Sequence, residues 1–230
     1  MGKIGFGYGS EWHMLRWLGR HRQALNHQIQ RTVKQNLGRI EWLDFQRSQS
    51  SSPLKRDKEI IGLDFISTTA NPTLHSAWKQ FWPSSGNSQN WDAVGKFILP
   101  TGQSGWLLVE AKAHIGELTS NCGAASKQSL SQIKRSLDIT KQAMGVPPKA
   151  EWLKKHYQYA NRLAALHFLK SHQVDAHLVF VYFCGDENPR QNCPIAPSGW
   201  NNALNKLHQH LQLPSHHLYS NQIHSVFLNV

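Results

Sequence analysis

The chain has 230 residues, 40% hydrophobic and 17% charged, so it is long enough for one well-buried domain and too short to require two. Its 25 lysines and arginines against 14 acidic residues give a formal net charge of +11, which favours a polyanionic partner such as nucleic acid. No stretch approaches the roughly 18 consecutive apolar residues of a membrane span, so no membrane partner is expected.

Turn residues and hydrophobic periodicity predict the following elements in chain order: a helix over 10–33, a strand or short helix over 59–66, a helical turn over 74–81, strands over 90–99 and 105–114, helices over 124–144 and 151–172, a strand over 176–184, a helix over 198–211 and a strand over 224–230. Ser10 is the predicted N-cap of the first helix. Loops are predicted over 47–58 and 82–90. Residues 1–230 are expected to form a single mixed α/β or α+β domain, with a central mixed sheet flanked by helices.

The cysteines and the N-terminus indicate the compartment. Cys122, Cys184 and Cys193 are odd in number and form no Cys-x-x-Cys pair, which is typical of a reducing cytoplasm. The N-terminus lacks the apolar core of a secretory signal. A cytoplasmic protein is therefore expected.

The stretch LLVEAKAH, residues 107–114, combines an apolar run with polar residues at alternate positions. Because strand side chains alternate between faces, Glu110, Lys112 and His114 share one face. A turn near residues 101–102 pairs this strand with 90–99, so that opposed residue numbers sum to roughly 202 to 204. Asp92 then lies opposite Glu110 to Lys112, and the acidic and basic side chains are expected to converge.

Two carboxylates on adjacent strands repel one another in a dry site, and a divalent cation relieves that repulsion. Carboxylate oxygens suit Mg²⁺ or Mn²⁺. Such an ion lowers the pKa of a bound water, and a neighbouring lysine steadies the charge that grows in the transition state. Asp92, Glu110 and Lys112 are therefore candidate catalytic residues for phosphodiester hydrolysis. The ordinary alternative is a Glu110–Lys112 ion pair on a solvated sheet face.

Asp92 of NWDAVG and Glu-Ala-Lys at 110–112, on a predicted hairpin, resemble the motif of the PD-(D/E)XK nuclease superfamily. The resemblance covers about residues 8–185, leaving 186–230 as a C-terminal helix-strand extension. It implies a restriction-endonuclease-like αβββαβ core. It also implies that Asp92, Glu110 and the main-chain carbonyl of Ala111 bind the metal and that Lys112 is catalytic. Trp91 stands where the family name has proline.

Many members of that superfamily carry an acidic residue on the first core helix that helps to bind the metal. Glu11 is the position that matches it here, so the resemblance implies Glu11 as a further metal ligand. The alternative for a first-turn glutamate is a favourable interaction with the helix dipole.

Four residues are candidates for contact with nucleic acid. His114 lies one pleat beyond Lys112, where a surface histidine is the alternative. Lys154, Gln158 and Arg162 follow at steps of four and form a polar stripe on the helix predicted over 151–172. Several PD-(D/E)XK branches place a glutamine on a helix after the motif, and Gln158 is similar to it. A solvated helix face is equally compatible with the stripe, and Gln132 and Lys134 on the preceding helix are alternatives.

The function expected from these residues is that of a Mg²⁺- or Mn²⁺-dependent nuclease, acting on DNA in preference to RNA. A homodimer stays open. Two other classes of protein compete with this expectation. A non-catalytic nucleic-acid-binding protein on the same fold would bind and not cleave, and a scaffold domain would show no salt-dependent affinity for DNA or RNA.

Overall fold

A five-stranded mixed sheet forms the centre of the computed structural model, which describes residues 7–33, 35–43, 59–84 and 89–230. The elements in this part of the chain are α1 (Ser10–Arg20), α2 (Arg22–Val33), β1 (Arg39–Leu43), β2 (Ile60–Ile61), α3 (Pro72–Phe81), β3 (Asn90–Trp91), β4 (Ala93–Ile98), β5 (Ser104–Lys112), a 3₁₀ helix (Ile115–Leu118), α4 (Lys127–Ala143), α5 (Tyr157–Ser171), β6 (Ala176–Cys184), α6 (Pro197–Leu211) and β7 (Ile223–Asn229). The predicted mixed α/β class is confirmed.

The central sheet has the strand order β1-β4-β5-β6-β7. The pairs β1/β4 and β4/β5 are antiparallel, and the pairs β5/β6 and β6/β7 are parallel. The parallel connections need crossovers, which α4 with α5 and then α6 provide. Strands β2 and β3 form a separate antiparallel ribbon.

Each face of the sheet is covered by its own group of helices. Val109 and Ala111 of β5 belong to the same buried cluster as Met14 of α1 and Ile29 of α2. Leu108 belongs to the other buried cluster, which includes residues of α3, α4, α5 and α6. Because both faces are covered, all nine residues of β6 are buried, as its continuous apolar sequence predicts.

The predicted hairpin is confirmed with its register. Ala93 pairs with Val109, and Ile98 pairs with Ser104. The connecting turn uses Gly102, whose φ of 84° lies in the left-handed region that glycine adopts without strain. The turn chemistry therefore fixes which residues of the two strands face one another.

The structure corrects two predicted helices. The helix over 10–33 is divided at His21, whose φ of −121° and ψ of 23° end α1, and the side chain of Arg22 donates to the Leu18 carbonyl there. Ser10 is the first residue of α1 and Gly9 is the N-cap, so Ser10 does not cap the helix. The helix over 151–172 begins only at Tyr157.

Other differences concern short elements. Strand β1 was not predicted, although its alternating burial follows period 2. The segment 59–66 forms the two residues of β2 followed by a turn. The predicted loop over 47–58 lies outside the described residues, as do 85–88 of the loop over 82–90. Within the described ranges, every helix is too short or too polar to cross a membrane.

Candidate active site

Asp92 lies at the junction of β3 and β4, just before the first β4–β5 pair. Its N–H donates to the Val109 carbonyl over 3.1 Å. Its Oδ2 accepts a hydrogen bond from the Ala111 N–H over 2.6 Å. The Asp92 side chain thus accepts from a β5 N–H that lies beyond the first β4–β5 pair, which holds Asp92 against the C-terminal half of β5.

Glu110 is buried on β5 with two cationic partners. Its Oε1 accepts a hydrogen bond from the Lys112 Nζ, two residues along the same face. Its Oε2 accepts from Arg162 of α5, at 2.7 Å from Nε and 2.6 Å from Nη2. Hydrogen bonds between charged groups of this kind are the strong ones, so this carboxylate is held in one position from both sides.

Arg162 is 2% exposed, and its guanidinium is fully engaged inside the protein. Besides Glu110, it donates from Nη1 to Asn161 Oδ1 over 2.9 Å and from Nη2 to the Asn90 carbonyl. Its Cζ lies 4.8 Å from the ring centroid of Trp91. These contacts hold the Arg162 guanidinium within the protein, and its contact with nucleic acid stays a prediction.

Gln158 lies one helical turn before Arg162 and contacts Lys112. Its Oε1 accepts a hydrogen bond from the Lys112 Nζ over 2.9 Å, and its own N–H donates to Ser120 Oγ over 2.7 Å. Lys112 is therefore held between Glu110 and Gln158. Lys154 is exposed before the start of α5, so it does not continue the stripe of Gln158 and Arg162 on this helix.

The two carboxyl groups have opposite electrostatic environments. Burial favours the neutral form of Glu110, but Arg162 and then Lys112 outweigh burial and hold the pKa of Glu110 below its ordinary value. Burial and then repulsion by Glu110 raise the pKa of Asp92 to about 8, although Lys112 acts in the other direction. One acid is therefore ionised at neutral pH, and the other holds its proton.

These charges correct one step of the sequence argument. The sequence predicts that a bound divalent cation relieves the repulsion between the Asp92 and Glu110 carboxylates. In the structure, Arg162 already supplies a compensating charge next to Glu110. With Lys112 also in contact, the protein balances the charge of Glu110 with its own side chains. The convergence of the residues therefore does not by itself require a metal.

The donors at the site still have the chemistry of a Mg²⁺ or Mn²⁺ site. Within the described ranges, no group of three or more His, Cys, Asp or Glu side chains is arranged to hold an ion. The available oxygens are the Asp92 and Glu110 carboxylates and the Ala111 carbonyl. Mg²⁺ is commonly held by one or two carboxylates with water in the remaining positions, so this set fits it. An ion beside Asp92 would oppose the two effects that raise the pKa of Asp92.

Glu117, and not Glu11, connects the first helix with the site. Glu11 is exposed on the first turn of α1, a helix that packs on the face of the sheet opposite Glu110. Glu117 Oε1 accepts from Ser10 Oγ over 3.0 Å, and its Oε2 accepts from the Ala113 N–H. Glu117 also lines a small cavity of about 10 Å³ with Glu110 and Lys112.

A short spacing in the sequence indicates the position of Glu117. Glu117 follows His114 by three residues, the spacing of a capping box, and the structure forms that box at the start of the 3₁₀ helix. His114 is accordingly half-buried, with its Nε2 3.7 Å from Glu117 Oε1. Its ring therefore lies beside Glu117.

Residues of the segment that follows β5 line two clefts. One, of about 710 Å³, reaches Gln158 and Arg162. The other, of about 700 Å³, is basic and is lined by Lys155, Lys206, His156 and His210. Gln158 thus has one side toward Lys112 and the other toward open space.

Comparison of the chain with protein-family models, with curated proteins and with solved structures gives no match. A proposal about function therefore depends on the geometry and chemistry of the site.

Proposed function

We propose that this protein is a metal-dependent nuclease that hydrolyses phosphodiester bonds of nucleic acid, DNA in preference to RNA, on a restriction-endonuclease-like fold. The observation that carries the proposal is the meeting of Asp92, Glu110 and Lys112 at one end of the β4–β5 hairpin. Asp92 is held by the backbone N–H of Ala111, the residue between Glu110 and Lys112, so its carboxyl group is tied to the strand that carries the other two residues.

The order of the elements supports the fold named in the proposal. A helix precedes three antiparallel strands, β1, β4 and β5, and further helices lead to the parallel strand β6. This order is that of an αβββαβ core, with α3 and the β2/β3 ribbon inserted after β1. Strand β7 and α6 form the extension at the C-terminus.

The residues of the site have separable roles in the proposed reaction. Asp92 and Glu110, with the Ala111 carbonyl, would hold Mg²⁺ or Mn²⁺, and such an ion supplies a Lewis acid and an acidified water. Lys112 places a cation where negative charge grows on the phosphoryl oxygens. Gln158 and Glu110 fix the Lys112 amine from two sides, so that its position is set before substrate arrives.

The charge of the surface supports a nucleic-acid substrate. The basic cleft beside the 3₁₀ helix contains Lys155 and Lys206, and both residues are exposed. Positively charged surfaces of this kind attract the phosphate backbone without regard to sequence. The three free cysteines accord with a cytoplasmic setting for the enzyme.

The second candidate function is binding without cleavage, and one observation favours it. Glu110 is fully paired by Lys112 and Arg162, so the site is electrostatically complete without an ion. A protein that had lost catalysis would keep such a cluster as an internal tie between α5 and β5. The basic surface would still bind nucleic acid in this case.

Cleavage assays on the purified protein test the proposal. Labelled single-stranded DNA, duplex DNA and RNA are incubated with Mg²⁺, with Mn²⁺ or with a chelator. The matched variants are Asp92→Asn at the site and Asp138→Asn at an exposed carboxylate on α4. We expect ion-dependent cleavage that Asp92→Asn reduces on the order of 100-fold and Asp138→Asn leaves unchanged. Binding without cleavage under every ion condition would support the second candidate, and equal cleavage by both variants would reject the site.

A further inference from the structure

One cleft is lined by two residues that contact the proposed catalytic side chains. Gln158 and Arg162 line this cleft of about 710 Å³. Gln158 Oε1 accepts a hydrogen bond from the Lys112 Nζ over 2.9 Å, and Arg162 donates to Glu110. An occupant of the cleft therefore lies beside Gln158, which holds Lys112, whereas Arg162 is only 2% exposed.

The wall of this cleft is polar and uncharged. Of its described lining residues, only Arg162 is charged, and that guanidinium is already paired with Glu110. The amide side chains of Asn90, Asn121 and Asn161 line the cleft, and Tyr157 contributes an aromatic ring. The Oδ1 atoms of Asn121 and Asn161 already accept hydrogen bonds from the Lys155 N–H and from Arg162. The basic cleft has Lys155 and Lys206 among its lining residues.

The uncharged cleft and the basic cleft suit different parts of a nucleotide, the base and the phosphate. A phosphate needs cations, which the basic cleft offers and the uncharged cleft does not. A nucleobase presents hydrogen-bonding edges and a flat apolar face, which amide side chains and an aromatic ring complement. The volume lies in the range of sites that enclose small organic groups. A base can enter such a cleft only when it is not paired and stacked in a duplex.

We propose that this uncharged cleft receives an unpaired nucleobase, so that the preferred substrate is single-stranded nucleic acid or an unpaired segment of it. This inference rests on the proposed function for its relevance to cleavage, but it concerns binding and is tested separately. The base enters beside Gln158 while the backbone continues past Lys112.

Gly123 offers a way to fill the cleft without disturbing the fold. Gly123 lines the cleft, and a Cβ added at this position meets nothing within 4 Å. Its φ is not in the left-handed region, so a side chain is tolerated by the backbone. Gly19 on α1 has the same open surroundings and serves as the matched control. The pair Gly123→Trp and Gly19→Trp therefore adds the same bulk at two sites.

The experiment measures Kd by fluorescence anisotropy with a chelator present, for a labelled single-stranded oligonucleotide, for its duplex and for a strand with abasic sites. We expect Gly123→Trp to weaken single-strand binding about tenfold or more, to leave duplex binding unchanged, and to abolish the wild-type preference for the strand that has bases. Gly19→Trp should match the wild type. Equal single-strand affinity in Gly123→Trp and Gly19→Trp, with both folded by circular dichroism, would overturn the inference.

A second variant and a cleavage measurement separate failure of the cleft proposal from failure of the nuclease proposal. Ala125→Trp fills the same cleft from an exposed position if Gly123→Trp does not fold. A base-dependent affinity in a protein that cleaves nothing with Mg²⁺ or Mn²⁺ would uphold the cleft and reject the nuclease. Cleavage of single strands that neither filling variant slows would uphold the nuclease and reject the cleft.

Discussion

Arg162 and Glu110 form an ion pair that is almost completely shielded from solvent, with 2.6 Å between Nη2 and Oε2 and side-chain exposures of 3% and 2%. The pair joins α5 to β5, and the other carboxylate oxygen of Glu110 accepts from the Lys112 Nζ. Two consequences follow from it. The charge of Glu110 is balanced by the protein itself, and the position of Glu110 depends on a helix that is distant from it in sequence.

Removal of Arg162 should therefore destabilise the fold strongly. Arg162→Met leaves the buried Glu110 carboxylate with Lys112 as its only described cationic contact, and breaking a buried pair from one side costs about 3–5 kcal/mol. Urea unfolding at pH 7 measures the loss. The matched control is Arg39→Met, which removes an exposed pair with Glu41 and should change the free energy of unfolding by about 0.5 kcal/mol or less. Equal losses in the two variants would contradict a structural role for the buried pair.

Lys112 distinguishes catalysis from binding. Lys112→Ala removes the cation that the proposed mechanism places near the phosphoryl oxygens, so cleavage should fall about 100- to 1,000-fold while nucleic-acid affinity stays close to that of the wild type. Rates of oligonucleotide cleavage and anisotropy give the two quantities. Lys149→Ala, at an exposed lysine, should alter neither. A variant at Lys112 that cuts as fast as the wild type would remove this residue from the mechanism.

Gln158 should affect the same reaction through Lys112. Gln158→Leu removes the 2.9 Å contact with the Lys112 Nζ and keeps the size of the side chain. Because the amine loses one of its two holding groups, we expect kcat to fall about tenfold, with a shift in the pH–rate profile that a purely structural change would not produce. Rescue by Gln158→Glu, which restores an acceptor, checks the assignment. A lower Tm with an unchanged kcat would show that Gln158 only stabilises the helix.

The raised pKa of Asp92 predicts that a metal ion competes with a proton. At pH 7 the carboxyl, with a pKa of about 8, holds its proton, and an ion must displace it to bind. Affinity for Mn²⁺ should therefore rise about tenfold per pH unit between pH 6 and 8 and level off above that range. Calorimetry in buffers of different ionisation enthalpy should record about one proton released per ion at pH 7. Affinity that is constant across this range would contradict the assignment, and Asp92→Asn should bind weakly without proton release.

The β4–β5 hairpin could be predicted because residues close together in the sequence determine its turn and its register. The turn near Gly102 sets the register, and strand alternation places Glu110 and Lys112 on one face, so the sequence predicts their proximity to Asp92. The pairing of Glu110 with Arg162 depends on how α5 packs on the sheet, which no short-range pattern specifies. The spacing of four between Gln158 and Arg162 showed that they share a helix face, but not that this face is turned inward.

The setting of Glu11 depends on tertiary packing for a related reason, and its role as a metal ligand stays a prediction. Its place in the first turn is a local feature, whereas the side of the sheet on which α1 packs is a tertiary one. Met14 and Leu18 bury α1 against the face opposite Glu110, which leaves Glu11 exposed. Glu117 reaches the cavity beside Glu110 from the strand's own continuation, where a capping pattern positions it.

A buried histidine pair away from the site should make the fold sensitive to acid. His177 lies on β6 and His224 lies on the neighbouring strand β7, and both residues are buried. The distance between His177 Nδ1 and His224 Nε2 is 2.9 Å. Burial and then His177 lower the pKa of His224 to about 4, from an ordinary 6.5, and burial also lowers the pKa of His177. The folded state therefore binds fewer protons than the unfolded chain between these values. The free energy of unfolding that depends on the neutral His224 ring is fully present above about pH 6.5. It is lost as the pH falls toward 4, and the loss for His224 is about 3 kcal/mol.

The substitution His224→Gln tests this dependence, because glutamine keeps a hydrogen-bonding group beside His177 and does not titrate. Urea unfolding at pH 7, 5.5 and 4 gives the free energy for each protein. Between pH 7 and 4, the free energy of unfolding of the wild type should fall by about 2–3 kcal/mol more than that of His224→Gln. The reason is that unfolding of the wild type is accompanied by proton uptake at His224, which the variant lacks. His216→Gln, at an exposed histidine, should follow the wild type at every pH. Parallel curves for His224→Gln and the wild type would show that the pair contributes nothing to the acid sensitivity of the fold.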